Sequence, residues 1–163
     1  MVSENYEGWP LHKLGIWRLD GRFFLQSDDG VFMDAGSKIG VRNRQFGITP
    51  LTADFNQDGH PDLIHINLLG QQKVFISKAG DNGYLKVKLP NVVESIGAEV
   101  SVTLDDGSKV IQTFVIGEGL LSDQSHTLIF GLADRSATAV DVTRLNGSND
   151  QQSGSFRNET LTF

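Results

Sequence analysis

The sequence predicts an all-β fold, and three of its features support that prediction. Most segments alternate apolar and polar side chains between turn residues, which is the pattern of half-buried strands. The composition favours turns over helix surfaces, because the chain has 18 Gly and 14 Asp but only 6 Glu. No window of about twelve residues carries a capped helical stripe. The predicted strands are short and closely spaced, as in a sandwich, a barrel or part of a propeller.

The predicted strands of the first half are short and are separated by polar turns. Gly30 follows two Asp residues and supplies the positive φ of a tight turn. The predicted strands cover residues 21–26, 31–33, 48–55, 63–68 and 73–77. The Gly- and Asp-rich segment 80–83 marks a boundary, so the sequence predicts one module over residues 1–80 and a second over residues 81–163.

The second half repeats this organisation. Asp105-Asp106-Gly107-Ser108 separates two alternating segments and is a strong hairpin signal. The predicted strands cover residues 85–89, 98–104, 109–116, 128–130, 139–142 and 159–163. Because these strands are short and closely spaced, this half is predicted to be a small β-sandwich or barrel.

Composition and charge exclude several classes of function. The 163 residues carry a net charge of −6, which argues against nucleic acid as a partner because phosphate binding needs a basic surface. The chain has no cysteine, so disulfides, thiolate zinc sites and cysteine nucleophiles are excluded. No apolar run is long enough to span a membrane. Residues 1–10 lack the basic start and apolar middle of a secretory signal, so no signal peptide is predicted.

The most specific motif is an Asp-rich loop between the third and fourth predicted strands. Residues 54–62 place oxygen-bearing side chains at loop positions 1, 3, 5 and 9, with Gly59 at position 6. These side chains belong to Asp54, Asn56, Asp58 and Asp62. Short acidic side chains at alternating positions can wrap one Ca²⁺, which takes about six to eight oxygen ligands, and the glycine allows a sharp turn. The sequence therefore predicts a calcium loop.

The remaining loop positions narrow this prediction. Position 7 contributes a backbone carbonyl in such loops, so His60 is predicted to bind through its C=O group and not through its ring. Position 12 is His65, where an EF-hand requires Glu, so the loop is not an EF-hand. Mg²⁺ fits less well because it keeps more of its water. The alternative is a metal-free loop built of Asx turns, in which three Asp side chains would repel one another.

The loop and the second half of the chain resemble known families. Residues 53–63, ADFNQDGHPDL, resemble the calcium loop of FG-GAP and VCBS repeats, which are blades of β-propellers. Residues 96–100, IGAEV, resemble the start of the ASPIC and UnbV domain, and residues 117–124 resemble its Gly-rich loop. Similarity to later elements of that domain is found at residues 130–132, 140–142 and 158–162. The family's usual Tyr in the Gly-rich loop is Leu120 or Leu121 here.

The resemblance implies a propeller-blade-like antiparallel sheet with a calcium loop, followed by an ASPIC and UnbV module. It also implies an extracellular or periplasmic location. Only one calcium loop is present, where a whole propeller would have several. A lone blade leaves an apolar face and an open edge, so we expect the second module, a second copy of the chain in a homo-oligomer or the remaining propeller blades to cover it.

The predicted function is that of a non-enzymatic, calcium-binding β module for interaction or adhesion, with a protein or a carbohydrate as partner. No catalytic residue is assigned. Asp123, Ser125 and His126 are triad residue types, but the adjacent Ser and His are poorly placed to bond in line, and no G-x-S-x-G motif is present. Two alternatives stay open: an accessory or catalytic domain of a carbohydrate-active or biosynthetic enzyme, and a structural end-cap of a larger propeller.

Overall fold

The structure is a computed structural model that describes residues 21–27, 29–78, 80–90, 92–117, 120 and 122–163. These residues form two compact units. The first contains the described residues of 21–52, 63–75 and 119–122, and the second contains those of 53–62, 76–118 and 123–163. The Asp-rich loop therefore belongs with the second half of the chain. The predictions for residues 1–10, Asp28 and part of the Gly-rich loop, at 118, 119 and 121, lie outside the described residues.

The first unit is built on two small sheets. Its strands are β1 (Phe24–Gln26), β2 (Phe32–Asp34), β3 (Phe46–Ala53), β4 (Asp62–Leu69) and β5 (Lys73–Phe75). β1 and β2 form an antiparallel hairpin, and Gly30 in its turn has a φ of 84°. The other sheet has the order β3-β4-β5, with β4 and β5 antiparallel. The predicted turn at Gly30 is therefore confirmed.

Polar side chains are buried inside the first unit. Leu63, His65 and Asn67 alternate along β4, and the exposed fractions of these residues are 6%, 2% and 4%. The amide of Asn43 donates to Oδ1 of Asn67 at 2.8 Å, and the Asn67 amide donates to the carbonyl of Gln71 at 2.7 Å. Buried amides that find partners in this way make the packing specific.

The second unit is a two-sheet sandwich. Its elements are β6 (Gly83–Lys88), α1 (Val92–Ser95), β7 (Glu99–Leu104), β8 (Lys109–Thr113), β9 (Thr127–Ala133), β10 (Ala137–Thr143), β11 (Asn149–Phe156) and β12 (Glu159–Thr162). One sheet has the order β11-β10-β7-β8, and the other has the order β12-β6-β9, with β12 parallel to β6. Side chains from both sheets form one hydrophobic cluster, which includes Leu85, Val87, Val100, Val102 and Phe130.

The all-β prediction is confirmed, with two corrections of detail. The eleven segments predicted as strands all overlap observed strands, and the twelfth strand of the described residues, β11, lies outside every one of them. No sheet in the described ranges closes into a barrel, so the second unit is the sandwich of the two predicted alternatives. The hairpin at residues 105–108 is confirmed, and Gly107 has a φ of 80°. Within those ranges no helix has the length and apolarity needed to cross a membrane.

Candidate functional site

The Asp54–Asp62 loop connects β3 to β4, and its backbone amides are organised around Asp54. Oδ1 of Asp54 accepts a hydrogen bond from the Asp58 N–H at 3.0 Å, and Oδ2 accepts one from the Gly59 N–H at 2.8 Å. Gly59 has a φ of 90° and Gln57 a φ of 62°, so the chain reverses sharply here. The turn thus holds the first carboxylate of the motif in place.

Asn56 and Asp58 form Asx turns in the same loop. Oδ1 of Asn56 accepts a hydrogen bond from the Asp58 N–H at 3.2 Å, and Oδ1 of Asp58 accepts one from the His60 N–H at 2.9 Å. The Asn56 amide also donates to Oδ2 of Asp58 at 2.8 Å. The local geometry therefore has the Asx-turn character of the metal-free alternative, and it gathers the oxygens of Asp54, Asn56 and Asp58 around one short stretch of backbone.

Asp62 closes the loop at the start of β4. The residue is only 1% exposed, and its carboxylate accepts hydrogen bonds from the Phe55 N–H at 2.8 Å and the Ser77 N–H at 2.7 Å. The Ser77 hydroxyl donates to the carbonyl of Pro61 at 2.5 Å. Hydrogen bonds to an ionised acceptor are stronger than neutral ones, so Asp62 ties the start of the loop to its end and to the segment after β5.

The loop lies against the outward face of β6. Leu85 is fully buried in the core, and its neighbours Tyr84 and Lys86 point to the other side of the strand, toward the loop. The Tyr84 ring is so close to Gly59 that a Cβ on this glycine would lie well under 3.0 Å from three ring atoms. The His60 ring meets Tyr84 edge-on, with 6.1 Å between ring centroids. Glycine is therefore required at position 59 by its φ and by its neighbour.

Lys86 forms an ion pair with Asp54. Its Nζ donates to Oδ2 of Asp54, and the two side chains are only 14% and 5% exposed. Burial by itself raises the pKa of Asp54, but hydrogen bonds from Lys86 and from the backbone amides of Gly59 and Asp58 outweigh it and hold the pKa below its usual value. Nζ also lies 5.4 Å from the centroid of the Tyr84 ring, within the range of a cation–π contact.

The donor set of the loop fits a hard cation in its chemistry. Its side-chain donors are carboxylate and amide oxygens, which Ca²⁺ prefers. One cation, the Lys86 ammonium, already binds Asp54. A carboxylate has about four lone-pair sites, and hydrogen bonds from the described residues occupy two each at Asp58 and Asp62. In the part of the chain that the structure describes, no three His, Asp or Glu side chains are arranged as a metal site. Calcium held by these residues, Asn56 and the His60 carbonyl stays a prediction.

Tyr84 and Lys86 are the residues of this site that sequence reasoning missed. A signal was present, because residues 84–88 alternate polar and apolar side chains, and the polar face of such a strand must meet solvent or another element. The alternation does not tell which element covers that face. The contact with the loop is therefore visible only in the folded chain.

Three other residues that stood out in the sequence are Ser125, His126 and His65. The hydroxyl of Ser125 accepts a hydrogen bond from the Thr127 N–H at 3.2 Å, which is a capping contact. The neighbouring His126 ring lies 6.1 Å from the ring of Phe114. His65 is buried, and its Nδ1 has no hydrogen-bond partner among the described residues.

These observations define the class of the protein: an all-β protein whose sandwich unit carries an Asp-rich loop on the outward face of one strand. Residues 90–161 match the family model described as ASPIC and UnbV, from α1 into β12. The resemblance of the second half is thereby confirmed. This match does not include the Asp54–Asp62 loop, so the FG-GAP and VCBS resemblance stays a prediction. No curated protein was found to match the chain.

Proposed function

We propose that this chain is a non-enzymatic β module that binds a protein or a carbohydrate, and that Ca²⁺ plays a structural role in its Asp54–Asp62 loop. The observation that carries the proposal is the loop itself, in which carboxylate and amide oxygens are held in place by backbone amides. A bound cation would relieve the repulsion among three Asp side chains and stiffen the turn between β3 and β4.

Exposed apolar side chains of the first unit support the binding role. Leu25 and Met33 are cross-strand partners in the β1–β2 hairpin and are 47% and 57% exposed. Phe32 is 62% exposed and lies on the opposite face of the hairpin, because consecutive side chains of a strand alternate. Adjacent large apolar side chains on a surface mark interaction sites. They favour a protein partner, which includes a second copy of this chain.

The proposed location is extracellular or periplasmic. Oxygen-ligand loops in extracellular modules bind Ca²⁺ with dissociation constants of about 10⁻⁴–10⁻³ M, so they fill where the ion is abundant. The ASPIC and UnbV resemblance implies the same location. The structural role proposed for the ion is consistent with the proposal that the module is not an enzyme.

The calcium part of the proposal is tested by thermal unfolding with excess CaCl₂ and with EGTA. An ion that binds only the folded chain adds about 2.7 kcal/mol at a hundred times Kd, which corresponds to a rise in Tm of about 5–10 °C for a chain of this size. Asp58→Ala is expected to abolish the rise. Asp134→Ala is the matched control, because Asp134 is exposed and lies outside the loop. An unchanged Tm in the wild-type chain would refute calcium binding.

A further inference from the structure

Lys86 lies outside the Asp54–Asp62 loop in sequence but supplies a positive charge to it. The lysine belongs to β6, and its Nζ donates to Oδ2 of Asp54. The Lys86 side chain is 14% exposed and that of Asp54 is 5% exposed. A pair shielded in this way is unlike a solvated surface pair, because removing one partner leaves the other charge poorly solvated.

The acceptor sites of Asp54 are nearly all in use. Oδ1 accepts the Asp58 N–H, and Oδ2 accepts both the Gly59 N–H and the Lys86 ammonium. Since each carboxylate oxygen offers two lone pairs, Oδ2 is saturated. A divalent cation that uses this oxygen must displace the ammonium or share its acceptor at the cost of repulsion between like charges.

The ammonium is held in place by more than the carboxylate. Nζ lies 5.4 Å from the centroid of the Tyr84 ring, and that ring packs on Gly59 of the loop. Tyr84 and Lys86 thus hold the loop on β6 through one apolar contact and one charged contact. Lys88, two residues further on the same strand, is exposed and serves as a matched lysine outside the loop.

We propose that Lys86 is a built-in counter-cation of the Asp54–Asp62 loop: it holds the loop on β6 without metal and competes with Ca²⁺ for Asp54. The second half of this statement rests on the proposed function. The competition keeps the affinity for Ca²⁺ low, so the loop keeps its position when the ion is scarce and exchanges the ammonium for the ion when it is abundant.

The test compares the full chain with Lys86→Met, Lys86→Arg and Lys88→Met. Calcium affinity is measured by titration calorimetry in chelator-treated buffer. Loss of a positive charge a few ångströms from the ion is expected to tighten Ca²⁺ binding of Lys86→Met by about tenfold or more. Lys86→Arg keeps the charge and is expected to stay near the wild-type affinity, and Lys88→Met to stay within about twofold of it because its charge is solvated.

Stability in EGTA provides the second measurement. Lys86→Met is expected to unfold at lower urea than the wild-type chain in EGTA, and excess Ca²⁺ is expected to narrow that gap. A double-mutant cycle of Lys86→Met with Asp54→Asn separates the pair from a general loss of packing, because the second substitution should then add little to the first. This cycle is read at low urea and low temperature, where a destabilised variant still folds.

The outcomes distinguish this inference from the proposed function. Equal calcium affinity in Lys86→Met and the wild-type chain overturns the competition and leaves calcium binding intact. If no chain binds calcium but the cycle shows strong coupling, the proposed calcium role fails and Lys86 is supported as the loop's own cation. Additive effects in the cycle overturn the counter-cation role itself.

Discussion

Gly59 lies where the Asp54–Asp62 loop meets the Tyr84 ring. Replacing it with alanine should lower the free energy of unfolding for two separable reasons. Its φ of 90° is left-handed, which costs a residue with a Cβ about 1–2 kcal/mol. The new Cβ would also lie well under 3.0 Å from three atoms of the Tyr84 ring, and overpacking of this kind costs about 1–3 kcal/mol. Together, Gly59→Ala is expected to lower the free energy of unfolding by about 2–5 kcal/mol.

Gly107 provides the matched control for the backbone contribution. It has a φ of 80° in the β7–β8 turn, and a Cβ there would meet no atom within 4 Å. Gly107→Ala is therefore expected to cost only the left-handed strain, about 1–2 kcal/mol. Both substitutions reduce the entropy of the unfolded chain equally, so this effect cancels in the comparison. The difference between them isolates the collision with Tyr84.

The assay is urea unfolding in EGTA, followed by circular dichroism. A third variant, Gly59→Ala with Tyr84→Ala, removes the ring, and in that background Gly59→Ala should cost no more than Gly107→Ala does in the wild-type chain. If Gly59→Ala and Gly107→Ala destabilise the protein equally, the loop does not pack on β6 at Tyr84, and the placement of Lys86 against Asp54 is refuted with it.

Two further predictions concern pH. Burial lowers the pKa of His65, and the charge of Lys73 acts in the same direction, so the unfolded chain binds more protons and stability falls as the pH falls below about 6.5. The protection factors of the β4 amides, which correct for the slower intrinsic exchange at low pH, should therefore fall on acidification, and His65→Gln should abolish this response. Hydrogen bonds from the Ser108 side chain and backbone and from Arg135 lower the pKa of Asp106 to about 2, so its stabilising effect is present above the usual value of 3.8 and is lost toward pH 2. A carboxyl titration by NMR should give this low pKa, and Ser108→Ala should raise it; an Asp106 pKa that Ser108→Ala does not change would contradict the assignment.

Most of the fold could be predicted from the sequence because its signals are local. The alternation of Leu85 and Val87 with polar neighbours marked β6, and both residues are fully buried. The Asp-Asp-Gly-Ser turn marked the β7–β8 hairpin, and the glycine in it has the positive φ that such a turn requires. These features depend on residues a few positions apart, which a single sequence displays directly.

Strand β11 could not be predicted in the same way. Its sequence NDQQSGSF contains no apolar alternation and includes a glycine, and six of its eight residues are polar: five have amide or hydroxyl side chains and one is Asp. It is a strand because it pairs with β10 at the edge of a sheet, with Asp141 opposite Gln151. Pairing with a neighbour supplied the extended conformation that its own side chains do not favour.

The parallel pairing of β12 with β6 has a similar origin. Leu161 lies opposite Val87, although the two residues are far apart in the chain. Their shared burial in one core brings the strands together. Alternation marked both segments as strands, but it carries no information about which partner a strand takes or in which direction.

The candidate site likewise has one part that the sequence displays and another that only folding creates. The sequence alone displayed the loop's oxygen-bearing side chains and the turn at Gly59, because their spacing is a property of consecutive residues. Only the folded chain brought Tyr84 and Lys86 of β6 against that loop. The physical reason is that the core buries one face of β6 and thereby turns its other face, with a ring and an ammonium, toward the acidic loop. A linear pattern can place charges on a strand face, but only tertiary packing chooses the charge they meet.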